Sequence, residues 1–147
     1  MGSVGTPVNL WSALSGFDEL WSPRILAQVN DHDLRVVKVQ GEFVWHRHIG
    51  MDELFLVLEG TLDIDLRVDG VERTVHLARG DAFVVPADVP HRPRSTDGAQ
   101  VLLVEPTGMV STGDFDGSVP EHIDSTTGRT LATPPPTWRR HPGGAVR

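Results

Sequence analysis

The chain has 147 residues, of which 39% are hydrophobic and 22% charged, and this size supports one hydrophobic core rather than two. It contains no cysteine, which excludes disulfides and thiolate metal ligands and fits a reducing cytoplasm. The net charge of -7 argues against a nucleic-acid partner, because phosphate backbones bind basic surfaces. No stretch approaches the roughly 20 apolar residues of a membrane span, and the start lacks the features of a signal peptide. We therefore expect a cytoplasmic protein without membrane or nucleic-acid partners.

Residues 1–23 are predicted to form an N-terminal arm with a short helix. Asn9 is a favourable N-cap, and Pro23 is expected to end the helix. Between them lies an apolar stripe at helical spacing, formed by Leu10, Leu14, Phe17 and Trp21. The stripe predicts packing on the outside of the main domain, with Trp11 or Trp21 at a subunit interface as the alternative.

From residue 24 onward, short apolar runs alternate with turn residues, a pattern typical of β-strands. The predicted strands cover residues 24–29, 34–40, 44–48, 53–58, 61–68, 71–77, 82–85 and 100–105. Asp69-Gly70 predicts a tight hairpin turn of the favoured type. So many short strands, with a single helical pattern, predict an all-β sandwich or barrel over residues 24–106.

Residues 107–147 differ in composition, because Gly, Ser, Thr, Asp and Pro dominate. Pro134 to Pro136 forms a stiff, extended segment. The apolar content is too low for an independent core. We predict an extended, proline-rich C-terminal tail that lies along the barrel or along a neighbouring subunit.

The stretch over residues 41–60 carries the candidate chemistry. His46 and His48 alternate along one predicted strand, so both face the same side of the sheet. Glu53 begins the next strand after a short turn. Two imidazoles and a carboxylate on neighbouring antiparallel strands suit a divalent first-row metal ion. The chain offers His91 as a further donor.

Two motifs in the chain resemble those of the cupins. The first motif, His-x-His, four residues, Glu, six residues, Gly, matches at His46, His48, Glu53 and Gly60. The second motif, Gly, five residues, Pro, four residues, His, matches at Gly80, Pro86 and His91. Asp88 stands where the family has a glycine, and Ser95 stands where it has an asparagine. Four residues rather than five separate Gly41 from His46.

The resemblance covers residues 34–106 and is to the small single-domain bacterial cupins often labelled mannose-6-phosphate-isomerase-like. It implies a double-stranded β-helix, the cupin jelly-roll barrel, and a homodimer. It also implies one divalent metal ion per subunit, bound by His46, His48, Glu53 and His91. The ligand set admits Fe, Mn, Ni, Co, Cu or Zn. Leu54, Leu56 and Leu58 form an apolar outer face that either the N-terminal helix or another subunit is expected to cover.

An ion with open coordination positions can polarise a carbonyl, lower the pKa of a bound water, or hold an enolate or dioxygen. We predict an enzyme that acts on a small oxygenated molecule by isomerase, cyclase or lyase chemistry, in specialised metabolism. The alternatives are a dioxygenase on the same site and a non-catalytic binding or sensor protein. Glu53 and Glu42 are the catalytic candidates, and Glu42 faces inward only if its strand is regular. The apolar substrate pocket is predicted to comprise Val44, Phe55, Val57 and Phe83.

Overall fold

The structure is a computed structural model that describes residues 5–131. One helix and eight strands follow in the order α1 Leu10–Leu14, β1 Arg24–Val29, β2 His32–Glu42, β3 Glu53–Gly60, β4 Leu62–Val68, β5 Val71–Leu77, β6 Ala82–Val85, β7 His91–Pro106 and β8 Arg129–Thr130. The prediction of a nearly all-β domain is confirmed. Within this described part of the chain, no helix is long and apolar enough to cross a membrane. The predicted stiff segment Pro134 to Pro136 lies outside the described residues.

The longest strand, β7, organises the sheet. It pairs antiparallel with β2 through residues 94–106. On its other side it pairs with β4 through residues 91–94 and with β3 through residues 99–104. The remaining strands extend these pairs, since β5 joins β4, β6 joins β3, and β1 joins β2. Because β7 pairs with β2 along one edge and with both β3 and β4 along the other, the strands form the jelly-roll barrel that the resemblance implies.

The barrel core follows the period-two alternation of the strands. Along β7, Val101 and Leu103 point inward and are 1% and 5% exposed. They pack in one cluster with Phe55 and Val57 of β3 and with Ile64 of β4. The hairpin after β4 also forms as predicted, because Asp69 and Gly70 both adopt the positive φ angles that its favoured turn requires.

The N-terminal helix is shorter than predicted. Asn9 caps it as expected, because its side chain accepts a hydrogen bond from the Ser12 N–H. The helix ends at Leu14, and the chain then bends toward the sheet, where the Trp21 N–H donates to the Lys38 carbonyl. Trp21 is buried in the chain's own core and its indole N–H donates to the Gln40 carbonyl. Its alternative placement at a subunit interface is therefore wrong.

The first part of the predicted tail packs on the barrel, and we call residues 107–131 the strap. Met109 and Ile123 of the strap are buried, at 2% and 7% exposure. Its end forms β8, which pairs in parallel with Arg24 and Ile25 of β1. The strap therefore packs against the barrel, where the Met109 carbonyl accepts a hydrogen bond from Arg35 of β2.

Candidate metal centre

Four potential metal ligands converge inside the barrel. His46, His48, Glu53 and His91 are all buried, and their candidate ligand atoms lie within 4.8 Å of one another. His46 and His48 lie in the irregular segment between β2 and β3, whereas Glu53 and His91 begin β3 and β7. The His46 and His91 backbones exchange hydrogen bonds of 3.0 and 2.8 Å, which fixes the two imidazoles side by side.

The backbone sets the orientation of two of the rings. The Nδ1 atoms of His46 and His91 lie 2.8 and 2.9 Å from the carbonyls of Val44 and Val89. When each Nδ1 donates its proton there, the Nε2 lone pair is free to bind a metal ion. Burial, followed by the neighbouring His91, lowers the pKa of His46 to about 3. His46 is therefore neutral near pH 7, as a metal ligand must be.

The chemistry of the cluster fits a divalent ion. The Nε2 atoms of His48 and His91 are buried without a hydrogen-bond partner, and each lies 3.5 Å from Oε1 of Glu53. A buried polar atom left unpaired costs about 1–3 kcal/mol, which a bound metal ion would remove. Burial opposes ionisation of Glu53, but contacts with His48 and His91 outweigh it and hold the Glu53 pKa well below its usual range. Three imidazoles beside an ionised carboxylate form a suitable donor set for a first-row metal ion, which binds imidazole in its neutral form.

A cavity of about 40 Å³ lies beside this cluster. Its lining includes His46, Glu53 and a ring of mainly apolar side chains from the barrel wall, among them Trp21, Val39, Phe43, Phe55, Leu62, Val101 and Leu103. Of the four predicted pocket residues, Phe55 lines the cavity. Val57 is 1% exposed within the core, and Phe83 pairs with Phe55 from the neighbouring strand without reaching the cavity.

Irregular backbone explains two misplaced predictions between β2 and the first ligand. The pairing of β2 with β7 shifts register between Val39 and Gly41, and Gly41 has a φ of 82°. The alternation expected from a regular strand is therefore lost. Glu42 is not on the inner face, because its side chain is 62% exposed and lies 3.7 Å from Arg92. Phe43, rather than Val44, lines the cavity.

Sequence reasoning missed three buried charged residues on the inner face. The Arg35 guanidinium donates to Asp33 at 2.8 and 3.2 Å and lies 2.9 Å from Oε1 of Glu105. Glu105 lines the cavity, and burial together with the charge of Glu53 raises its pKa well above the usual range. The sequence did indicate an inward orientation for Glu105, because Glu105 alternates with the inward Val101 and Leu103.

The strap holds the backbone of the first two ligands. Asp114 accepts hydrogen bonds from the Arg47 backbone N–H at 2.8 Å and from Nε of Arg47 at 3.0 Å. The Asp114 N–H donates in turn to the Arg47 carbonyl. Gly113 packs so closely that a Cβ atom there would meet the Arg47 carbonyl oxygen and the His46 ring. The strap is therefore part of the structure that places the ligands.

The fold is a jelly-roll domain with a buried four-residue cluster that fits a metal ion, and the comparisons agree on the fold. Residues 34–105 match the Cupin domain family. Over 80 residues the chain is 41% identical to the uncharacterized protein YdbB of Bacillus subtilis (strain 168), covering 54% of this chain and 68% of YdbB. The chain belongs to the cupin domain family.

Two solved structures share the fold. A cupin-2 domain containing protein from Shewanella frigidimarina NCIMB 400 is 40% identical with a TM-score of 0.63, over 67% of this chain and 93% of that one. Hydroquinone 1,2-dioxygenase from Sphingomonas sp. TTNP3 is 27% identical with a TM-score of 0.60, over 69% of this chain and 32% of that one.

A second curated relative is also named as a dioxygenase. Over 60 residues, 41% of this chain, the sequence is 38% identical to acireductone dioxygenase of Rhodopseudomonas palustris (strain TIE-1). The chain spans about a third of the length of each of these dioxygenases, with 36% of this one and 32% of the hydroquinone enzyme covered.

Proposed function

We propose that the chain is a metal-dependent enzyme of the dioxygenase type that acts on a small oxygenated molecule. The observation that carries the proposal is the set of four buried donors, with two unpaired imidazole nitrogens, beside a largely apolar cavity. The sequence alone placed isomerase, cyclase or lyase chemistry first. The similarity to two proteins named as dioxygenases supports oxygenation ahead of these alternatives.

His46, His48, Glu53 and His91 would hold the ion, which when bound supplies Lewis-acid or redox chemistry. The aromatic wall restrains the ligand rings, because Phe43 packs edge-on against His46 at 5.1 Å and Phe55 against His91 at 6.3 Å between ring centroids. The mainly apolar lining makes the surroundings of the cluster weakly polar. Low polarity strengthens the electrostatic interactions of the ligands with an ion and a substrate.

The first experiment is elemental analysis of protein purified without a metal-affinity step, followed by oxygen-consumption assays with enediol and dihydroxybenzene substrates. We expect close to one metal ion per chain and substrate-dependent oxygen uptake. His48→Ala should lose the metal, whereas His32→Ala, at the first residue of β2 where the side chain is 45% exposed, should keep it. Turnover without oxygen uptake would replace oxygenation by isomerase, cyclase or lyase chemistry. Metal binding with no turnover would favour the binding or sensor role, and failure to bind any ion would refute the metal site.

We also propose that the protein is a homodimer. On the outer face of β3, Leu58 packs against the N-terminal helix region, whereas Leu54 and Leu56 are half-buried and lie outside that apolar cluster. Exposed Val84 of β6 pairs with Leu54 and extends the same face. A second subunit would remove this apolar surface from water. A light-scattering mass equal to the 16.1 kDa monomer would refute the dimer.

A further inference from the structure

The cavity beside the metal ligands contains few polar groups. Among the described residues that line it, the polar side chains are His46, Glu53, Glu105 and Ser111. His46 and Glu53 belong to the metal cluster. The Ser111 hydroxyl already donates to the Asp124 carbonyl at 3.0 Å. Glu105 is therefore the polar side chain of this lining that is neither a metal ligand nor bonded to the backbone, and its carboxyl lies beside that of Glu53.

Glu105 is held rigidly in place. It is 1% exposed, and its Oε1 lies 2.9 Å from Nη1 of Arg35. Arg35 is itself fully buried and is fixed by Asp33 and by the Met109 carbonyl at 3.2 Å. Such a pair is costly to bury, and the contact with Arg35 holds one of the two carboxyl oxygens.

The second oxygen of Glu105 is the group in need of a partner. Oε2 is buried and makes no hydrogen bond. A buried oxygen without a partner is unfavourable unless a ligand or water supplies one. Since Oε2 belongs to a side chain that lines the same cavity as His46 and Glu53, a molecule bound at the metal would lie within its reach.

We propose that Glu105 binds an oxygen substituent of the substrate, adjacent to the oxygen that the metal ion holds. The inference rests on the proposed metal-dependent function. A hydroxyl group suits this position, because it can donate to a carboxylate or accept from a carboxylic acid. The ligand class is therefore a small molecule with an apolar body and oxygen atoms on two adjacent carbons. The guanidinium of Arg35 positions Glu105 for this contact.

The test uses the full chain loaded with Co(II), whose visible absorption reports the metal environment. Glycolate and acetate are the probes, because they differ by the hydroxyl group on the adjacent carbon and suit a small cavity. For Glu105→Gln we expect unchanged Co(II) stoichiometry and an unchanged spectrum without probe. Glycolate binding should weaken about 3- to 10-fold, the loss of one hydrogen bond to the Glu105 carboxyl, while acetate binding should change less than about twofold. Glu121→Gln, at an exposed position, is the matched control.

Three results would overturn the proposal. Equal weakening of glycolate and acetate would show that Glu105 does not contact the second oxygen. A changed Co(II) spectrum before any probe is added would show that Glu105 acts only through Glu53. No glycolate binding to the Co(II)-loaded wild type would refute the ligand class. A wild-type protein that binds no Co(II) would instead refute the proposed function itself. If Glu105→Gln fails to fold, Glu105→Met is tested in its place, because Arg35 then keeps its ion pair with Asp33.

Discussion

Two clusters of charged side chains lie on opposite faces of β7, and they are satisfied very differently. His91 points inward to the metal ligands, whereas Arg92 and Arg94 point outward. In the outer cluster, Asp65 accepts hydrogen bonds from Arg92 at 2.9 Å, from Arg94 at 3.0 Å and from the Thr74 hydroxyl at 2.7 Å. The hydrogen bonds from Arg94 are the main reason that the pKa of Asp65 lies far below its usual range.

The inner cluster has no cationic side chain of this kind among its members. Its members are three imidazoles and a carboxylate, and two of the imidazole nitrogens lack a partner. The outer cluster is therefore complete as a structural element of the protein alone. The inner cluster is complete only with an added cation. The comparison shows that the balance of donors and acceptors, rather than burial or charge alone, separates a structural cluster from a candidate binding site.

Substitutions at two adjacent residues of β7 should separate the two clusters. His91→Ala removes one of four metal ligands, so we expect metal affinity to fall more than about 100-fold. Arg92→Ala leaves the four ligands intact, so its metal affinity should stay within about threefold of wild type. A competition titration against a chelator measures both. Comparable losses in the two variants would show that the inner cluster is not the metal site.

Metal binding should stabilise the folded protein through the inner cluster alone. A ligand present at 100 times its dissociation constant adds about 2.7 kcal/mol to the free energy of unfolding, provided that it binds only the folded state. Chemical denaturation with and without metal measures this gain. At the same metal concentration we expect a gain of at least about 2 kcal/mol in Arg92→Ala and of no more than about 0.4 kcal/mol in His91→Ala. A gain that persists in His91→Ala would place the ion elsewhere.

The metal-free protein should lose stability as the pH falls below about 6.5. In the folded state the pKa of His46 is about 3, below the ordinary 6.5 of an unfolded histidine, so the unfolded state binds more protons between these values. The free energy of unfolding should fall by about 1.4 kcal/mol per pH unit within that window from this group alone. Urea denaturation of the metal-free protein at several pH values measures the slope.

The matched comparison for this pH dependence is His46→Gln, which lacks the titrating ring. Its unfolding free energy should depend less steeply on pH between about 3 and 6.5. The outer cluster should behave differently, because the depressed pKa of Asp65 affects stability only as the pH falls below its ordinary value of 3.8. Identical slopes for wild type and His46→Gln would contradict the assignment of a neutral, buried His46.

The strands and the convergence of His46, His48 and Glu53 could be predicted because period-two alternation and short turns are local signals. The jelly-roll form and the complete set of four ligands followed from the resemblance to the cupins. The inward position of Glu42 required a regular strand, and the register shift beside Gly41 breaks that regularity. The predicted helix failed at Phe17 and Trp21 because contacts with the barrel, rather than helical spacing, account for their burial.

Glu105 and Arg35 show a second limit of prediction from the sequence. Their inward positions follow from alternation, but whether two buried charges belong to a site depends on contacts between β2 and β7 that are distant in sequence. The strap shows the same limit, since its polar composition predicts an extended chain but not its attachment to the ligand segment. Contacts between residues distant in sequence thus determine the surroundings of the site, whereas local sequence patterns identify its first ligands.

The smallest predicted effect concerns this attachment of the strap. Asp114→Ala removes the hydrogen bonds to the Arg47 backbone and side chain, which lie between His46 and His48 in the sequence. Because the Arg47–Asp114 pair is partly exposed, the free energy of metal binding should become less favourable by about 0.5–1 kcal/mol. This change is equivalent to a two- to fivefold weaker metal affinity. Asp116→Ala, at an exposed position of the same segment, should leave the affinity unchanged. Asp114→Asn keeps an acceptor for the Arg47 N–H and should recover part of the affinity.

If Asp114→Ala lowered stability without changing metal affinity, the strap would cover the barrel without positioning the ligands, and the site would be set by the barrel strands alone.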